Sequence, residues 1–164
     1  MLIAILFLLI SFKLPVCAQA PEATPSAAVE NIFIHEFSET EEWVEIFNDN
    51  DIDFDITDWY FKDLAGNKVK VGSINLSPKS LLVIEFGKDF LNNNATSDKP
   101  EKLTFYTRQE QLVDDVQYDE TRPGYNWSYV EGEWCLASPT KNSPNTAPCF
   151  VPTNTPQPTN LPTP

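Results

Sequence analysis

Apolar and polar residues alternate with a period of two along Glu42-Trp43-Val44-Glu45-Ile46-Phe47-Asn48, and again along Ile52-Asp53-Phe54-Asp55-Ile56-Thr57-Asp58-Trp59-Tyr60-Phe61-Lys62-Asp63. Asn48-Asp49-Asn50-Asp51 lies between the two runs. Successive side chains of a strand point to opposite faces, so this pattern predicts half-buried strands joined by a turn. Asn and Asp favour such turns because their side chains bond their own backbone. The alternation and the β-branched or aromatic content extend the prediction to strands at 31–37, 42–48, 52–56, 59–63, 68–71, 80–86, 102–107, 112–118, 127–129 and 133–136. Ala65-Gly66-Asn67 reads as a hairpin turn, and 90–99 as a polar loop. The run at 80–86 is almost continuously apolar, which predicts the most central strand. Within 52–56, Ile52, Phe54 and Ile56 are expected on the buried face, with Asp53 and Asp55 on the solvated one. No segment sustains an apolar period of 3.6. Many short strands separated by turn signals predict an all-β chain folded as a β-sandwich.

The two ends differ from this pattern. Leu2 to Ile10 is an unbroken apolar run, too short for the ~20 residues that span a bilayer. With Ala18-Gln19-Ala20 behind it as a small-x-small cleavage site, residues 1–20 read as a signal peptide. Two alternatives stand beside it: an uncleaved tether, and a lipoprotein modified at Cys17. Residues 21–28 form a linker rich in Pro, Ala, Ser and Thr, and 29–149 the folded domain. Residues 150–164 form a Pro/Thr-rich tail whose prolines fix φ and remove donors, which predicts a disordered, extended stalk or linker. The chain is expected to be secreted or held at the cell surface, with no membrane insertion after signal cleavage. It is also readable as part of a longer multidomain protein.

Charge narrows the partners. Of 11 Lys and Arg only Lys13 lies in the signal segment, and none of the 24 Asp and Glu does, leaving the remainder at about −14. Such a field repels nucleic acid and anionic lipid and favours solubility. Once Cys17 leaves with the signal, Cys135 and Cys149 are an even pair in an oxidising compartment. A disulfide between them closes a loop of about 15 residues, contributing on the order of 3 kcal/mol.

The motifs, taken in order, resemble those of the bacterial lamin tail domain, an immunoglobulin-like family. Ile34-His35-Glu36-Phe37 is similar to its opening Ile-Asn-Glu strand, and Trp43-Val44-Glu45-Ile46-Phe47-Asn48 to its Trp-(Val/Ile)-Glu-Leu-x-Asn strand. Asp55-Ile56-Thr57-Asp58-Trp59 with Asp63 resembles Asp-Leu-(Ser/Thr)-Gly-Trp, Asp58 standing where Gly is usual. Leu76-Ser77-Pro78 before Leu81-Leu82-Val83-Ile84 resembles the Leu-x-Pro turn and its strand. Val113-Asp114-Asp115-Val116-Gln117-Tyr118 resembles the late Val-Asp-x-Val-x-Tyr strand. Asn126-Trp127-Ser128, Gly132-Glu133-Trp134, Ser138-Pro139-Thr140 and Pro144-Asn145 resemble the family's ending. The loop at 90–101 departs from the pattern and is the natural place for a private function. The resemblance implies a non-catalytic tethering or recognition module, often appended to other exported domains.

Candidate chemistry is sparse. His35, the only histidine, sits in a predicted strand, with no Gly-x-Ser-x-Gly turn to supply a nucleophile. Asn48, Asp49, Asp51 and Asp53 offer hard oxygens for calcium, but neither EF-hand frame places Gly sixth and Glu twelfth. Four tryptophans, Trp43, Trp59, Trp127 and Trp134, serve either as core anchors or as sugar platforms. Trp127, with Tyr125 beside it, follows the turn-rich Arg122-Pro123-Gly124 and is expected to be the most exposed. Asn75, Asn94 and Asn126 head glycosylation-type triplets. The expected function is a binding or scaffolding module whose partner is a protein or a cell-surface glycan. A carbohydrate-binding module and a calcium-dependent adhesion module are the rivals; no cofactor other than calcium is suggested.

Overall fold

The structure is a computed structural model and describes residues 29, 31–146 and 148–151. The signal segment, the first linker and nearly all of the Pro/Thr tail lie outside the described residues. Eleven strands follow in chain order: β1 (Ile32–Ser38), β2 (Trp43–Asn48), β3 (Phe54–Asp55), β4 (Tyr60–Lys62), β5 (Lys68–Lys70), β6 (Asn75–Leu76), β7 (Ser80–Glu85), β8 (Glu101–Tyr106), β9 (Leu112–Tyr118), β10 (Asn126–Val130) and β11 (Glu133–Ala137). No helix occurs among the described residues. A five-stranded antiparallel sheet, β11-β10-β1-β2-β7, packs against a four-stranded one, β5-β4-β8-β9, and β3 pairs with β6 in a small third sheet. The chain is a β-sandwich, the class its alternation predicts.

The core lies where the alternating apolar positions of both sheets meet. From the five-stranded sheet come Ile32, Ile34, Phe37, Val44 and Ile46, all nearly inaccessible to solvent. From the other come Phe61, Leu103 and Phe105, with Val116 and Tyr118 of β9. Phe61 and Phe105 stack with centroids 4.3 Å apart, and Trp59 lies 5.5 Å from Phe105. Full burial of a large apolar side chain contributes about 1.5–3 kcal/mol, so these rings dominate the cohesion between the layers.

Two expectations need correcting. The apolar run ending at Phe86 forms β7, which is an edge strand bonded only to β2. An all-apolar strand reads as central because both its faces are expected under cover. Here the strand's middle residues are only half-buried, and its outer face shares the cover that lies over β2. Ile52 is likewise not in the core. It is 61% exposed, because the strand begins only at Phe54.

Both faces of β2 are buried. Val44 and Ile46 face the core, while Trp43 and Glu45 face the other way and are equally inaccessible. The cover on that outer side is the segment after β11, which runs back across the sheet as a strap. Asn142 N–H donates to Glu45 Oε2 at 2.6 Å, and Lys141 donates to Glu85 at 2.7 Å while lying 4.8 Å over the Trp43 ring. Thr140 donates its N–H to Glu36 Oε1 at 3.0 Å and its hydroxyl to Glu36 Oε2 at 2.7 Å. Asn145 Nδ2 donates to the carbonyls of His35 and Tyr129. The disulfide Cys135–Cys149, with Cα atoms 5.6 Å apart, ties the strap's end to β11. The pairing is the expected one and fits an exported, oxidising setting.

Candidate functional site

Two β-bulges open one end of the sandwich. In β1 the register with β2 shifts between Ile34 and Glu36, leaving His35 as the extra residue. In β9 the register with β8 shifts so that Phe105 pairs Asp114 and Tyr106 pairs Leu112, leaving Val113 extra. A bulge bends its strand and re-aims side chains, and bulges recur beside binding sites. These two lie on facing sheets, and a cleft of about 500 Å³ opens beside them.

The cleft is lined by Ile32, Phe33 and Ile34 of β1, Val113 and Asp114 of β9, and Tyr129 and Trp134 of the β10–β11 hairpin, with Val29 and Asn31 completing the wall. Tyr129 and Trp134 are directly opposed in the hairpin register, and their ring centroids lie 5.6 Å apart at 53°. Phe33 meets Tyr129 at 5.7 Å and 64°. Trp134 is anchored from behind by Phe37, at 5.8 Å. Tyr129 is one of the few large side chains with substantial exposure, at 36%.

Asp114 is the polar centre of this wall. It falls on the inward stripe of β9 with Val116 and Tyr118, at i, i+2 and i+4. Its Oδ2 accepts the Ile34 N–H at 2.8 Å across the gap between the sheets, and its Oδ1 accepts the Asp115 N–H at 2.8 Å. Burial pushes the carboxyl above its usual range, and these two N–H donors pull it partly back. No Lys or Arg lines the cleft.

The residues singled out from the sequence lie elsewhere. Asn48 is fully buried, and its Nδ2 donates to the carbonyls of Ile52, Leu76 and Ser77 while its Oδ1 accepts from Asn50. It braces the turn from inside. Asp49 and Asp51 are bridged by the Lys79 ammonium at 2.8 and 3.6 Å, and the Asp49 hydrogen bond raises the Lys79 pKa. Asp53 stands exposed. Among the described residues no group of three or more His, Cys, Asp or Glu is gathered as a metal site. Trp127 is half-buried against the core, as is Trp134, and it donates its indole N–H to the Glu120 carbonyl at 2.8 Å. Tyr125 packs edge-on against Phe150 at 5.1 Å, Arg122 lying over the Phe150 ring, and Tyr125 takes no part in the cleft. Trp43 and Trp59 are buried. Asn126 is buried and donates to Glu36, so of the three triplets only those at Asn75 and Asn94 present an exposed Asn.

His35 faces Glu45, Nδ1 to Oε1 at 3.0 Å, between the rings of Phe33 and Phe47. The cleft residues were missed because β1, β9 and the late hairpin meet only in three dimensions. One signal was present, an Asp on the apolar stripe of a strand.

In sequence comparison no protein-family model matches the chain, and no curated protein is detectably similar to it.

Proposed function

We propose that the chain is an exported, non-catalytic binding and scaffolding module of the lamin tail type, which recognises its partner through the cleft beside the two bulges. One observation carries this reading. The polar residues of the family-like motifs are engaged inside the molecule, where Glu36, Glu45, Thr140 and Asn145 fasten the strap. The cleft beside the bulges, by contrast, offers a ligand a concave wall of aromatic rings with one carboxylate. Recognition sites have that character: mostly apolar, with a few placed polar groups. His35, the only histidine, has a carboxylate as its hydrogen-bond partner, which supports the non-catalytic reading.

A further detail supports the family resemblance. Asp58, at the position where the pattern has Gly, adopts φ 60°. Glycine reaches that left-handed region freely, and Asp is among the few other residues that tolerate it.

The test is retention of the labelled full chain by isolated bacterial cell envelopes. Saturable retention, displaced by unlabelled chain and weakened by Tyr129→Lys, is the expected result. Non-saturable retention, or turnover of ester, peptide or glycoside reporters by the chain, overturns the reading.

A further inference from the structure

We propose that the cleft binds a methylated ammonium group, held against Phe33, Tyr129 and Trp134 and facing Asp114. The inference rests on taking this cleft as the recognition site and adds the chemistry of what enters it.

Shape is the first argument. Sugar rings stack on a single planar face, but these three rings are inclined by 64° and 53° to their neighbours and form a concave wall. A trimethylammonium head is nearly spherical and touches several inclined faces at once. The negative faces of the rings attract a cation, and cages of this kind select weakly hydrated quaternary ammonium over compact, strongly hydrated ions.

Charge is the second argument. Asp114 is a half-buried carboxylate in a wall without Lys or Arg. Elsewhere several acids already face a cation: Asp49 has Lys79, Asp115 has Lys102, Glu85 has Lys141. The cleft thus combines a carboxylate lacking a cationic neighbour with rings that favour one. The formal charge of −13 draws cations toward the molecule.

Hydrogen-bond capacity is the third argument, and it separates this ligand from a lysine or arginine side chain. A primary ammonium brings three donors and a guanidinium five. Both oxygens of Asp114 already accept a backbone N–H, and Asn31 and the Tyr129 hydroxyl are the other side-chain acceptors on the wall, too few for three to five further donors. A quaternary ammonium carries no N–H donor and leaves none unpaired on entry. A cleft of about 500 Å³ exceeds the head group itself, leaving room for the chain that carries it.

The experiment titrates the full chain with choline and with 3,3-dimethylbutan-1-ol, which has the same shape with carbon in place of the charged nitrogen. Amide shifts and tryptophan fluorescence are followed. Choline is expected to saturate with Kd on the order of 1 mM, with shifts centred on Phe33, Asp114, Tyr129 and Trp134, and the neutral isostere at least ~5-fold weaker. Tyr129→Leu and Asp114→Asn should each weaken choline ~5-fold or more. The Asn side chain still offers an oxygen to the Ile34 N–H, and the partly exposed Tyr129 keeps the fold testable if the Asp114 variant does not express. Phosphocholine forms a second arm: tighter binding than choline assigns a head group as the source, weaker binding a free solute. Equal binding of the neutral isostere, no saturable response to either cation, or indifference to both substitutions overturns the proposal. Saturable envelope retention that choline does not disturb overturns this assignment alone and leaves the recognition module standing.

Discussion

The carboxylate of Glu36 on β1 holds the backbone N–H and the hydroxyl of Thr140, 104 residues further along the chain. Glu36 is fully buried and also accepts from Asn126 Nδ2 at 2.8 Å. A buried carboxylate is tolerated only when its oxygens are fully partnered, and here three donors from two distant segments supply the partners. Removing the acid leaves those donors facing a cavity. Glu36→Ala should therefore destabilise the fold by about 3 kcal/mol, read as a shift of the urea midpoint at unchanged slope. Glu36→Gln keeps one acceptor oxygen and should cost less.

The disulfide and the Glu36 clasp hold the same strap, so their effects should not add. Cys149→Ser paired with Cys135→Ser frees a segment whose ends lie 14 residues apart, at a cost of about 3 kcal/mol. In a double-mutant cycle with Thr140→Val, the combined loss should fall short of the sum by about 1 kcal/mol, because a detached strap no longer holds Thr140 against Glu36. Full additivity in the measured unfolding free energies would mean that the strap is fixed independently at its two ends.

Much of this fold is legible in the alternation, because a half-buried strand imposes a period of two on its own residues. The runs read as strands at 42–48 and 112–118 match β2 to within one residue and β9 in full for that reason. Position in a sheet is a different matter. Leu81 to Ile84 gives no sign that β7 is an edge strand, since the strap that shelters the outer side of β2 comes from residues after 137. The two-residue β6 is too short to carry a period at all. The bulges at His35 and Val113 are mismatches between paired strands, so neither strand records them alone. The cleft depends on both bulges, on the late hairpin and on Asp114, which lies 80 residues from its partner Ile34, and this places it outside the reach of local pattern.

Calcium should leave the thermal midpoint unchanged. Lys79 already supplies the positive charge between Asp49 and Asp51, and the Asn48 oxygen is turned inward to Asn50. A divalent ion would have to displace the ammonium and rebuild the turn. Melting followed by tryptophan fluorescence, with and without ~5 mM calcium, should coincide within error. A ligand that binds the native state alone must raise the midpoint by mass action, so a clear rise would show that the loop rearranges around the ion.

Glu39 gives the fold a pH dependence opposite to that of an ordinary salt-bridged acid. It is 1% exposed, and neither carboxyl oxygen has a hydrogen-bond partner. Burial pushes its pKa up to about 7, against 4.5 for an unhindered glutamic acid; the nearby backbone N–H groups of Glu39 and Arg122 pull the other way without closing a full hydrogen bond. The folded state therefore holds this proton more tightly than the unfolded one. Its contribution is complete below pH ~4.5 and is lost as pH rises through 7, where the charged form becomes costly to bury. A shift of this size corresponds to about 3 kcal/mol. Glu39→Gln removes the titration and keeps the shape. The variant should gain on the parent progressively from pH 5 to 8 and match it most closely near pH 4.5. Urea midpoints of the two proteins across that range decide it: a constant difference would mean that Glu39 is reached by water in the native state and titrates as it does in the unfolded chain.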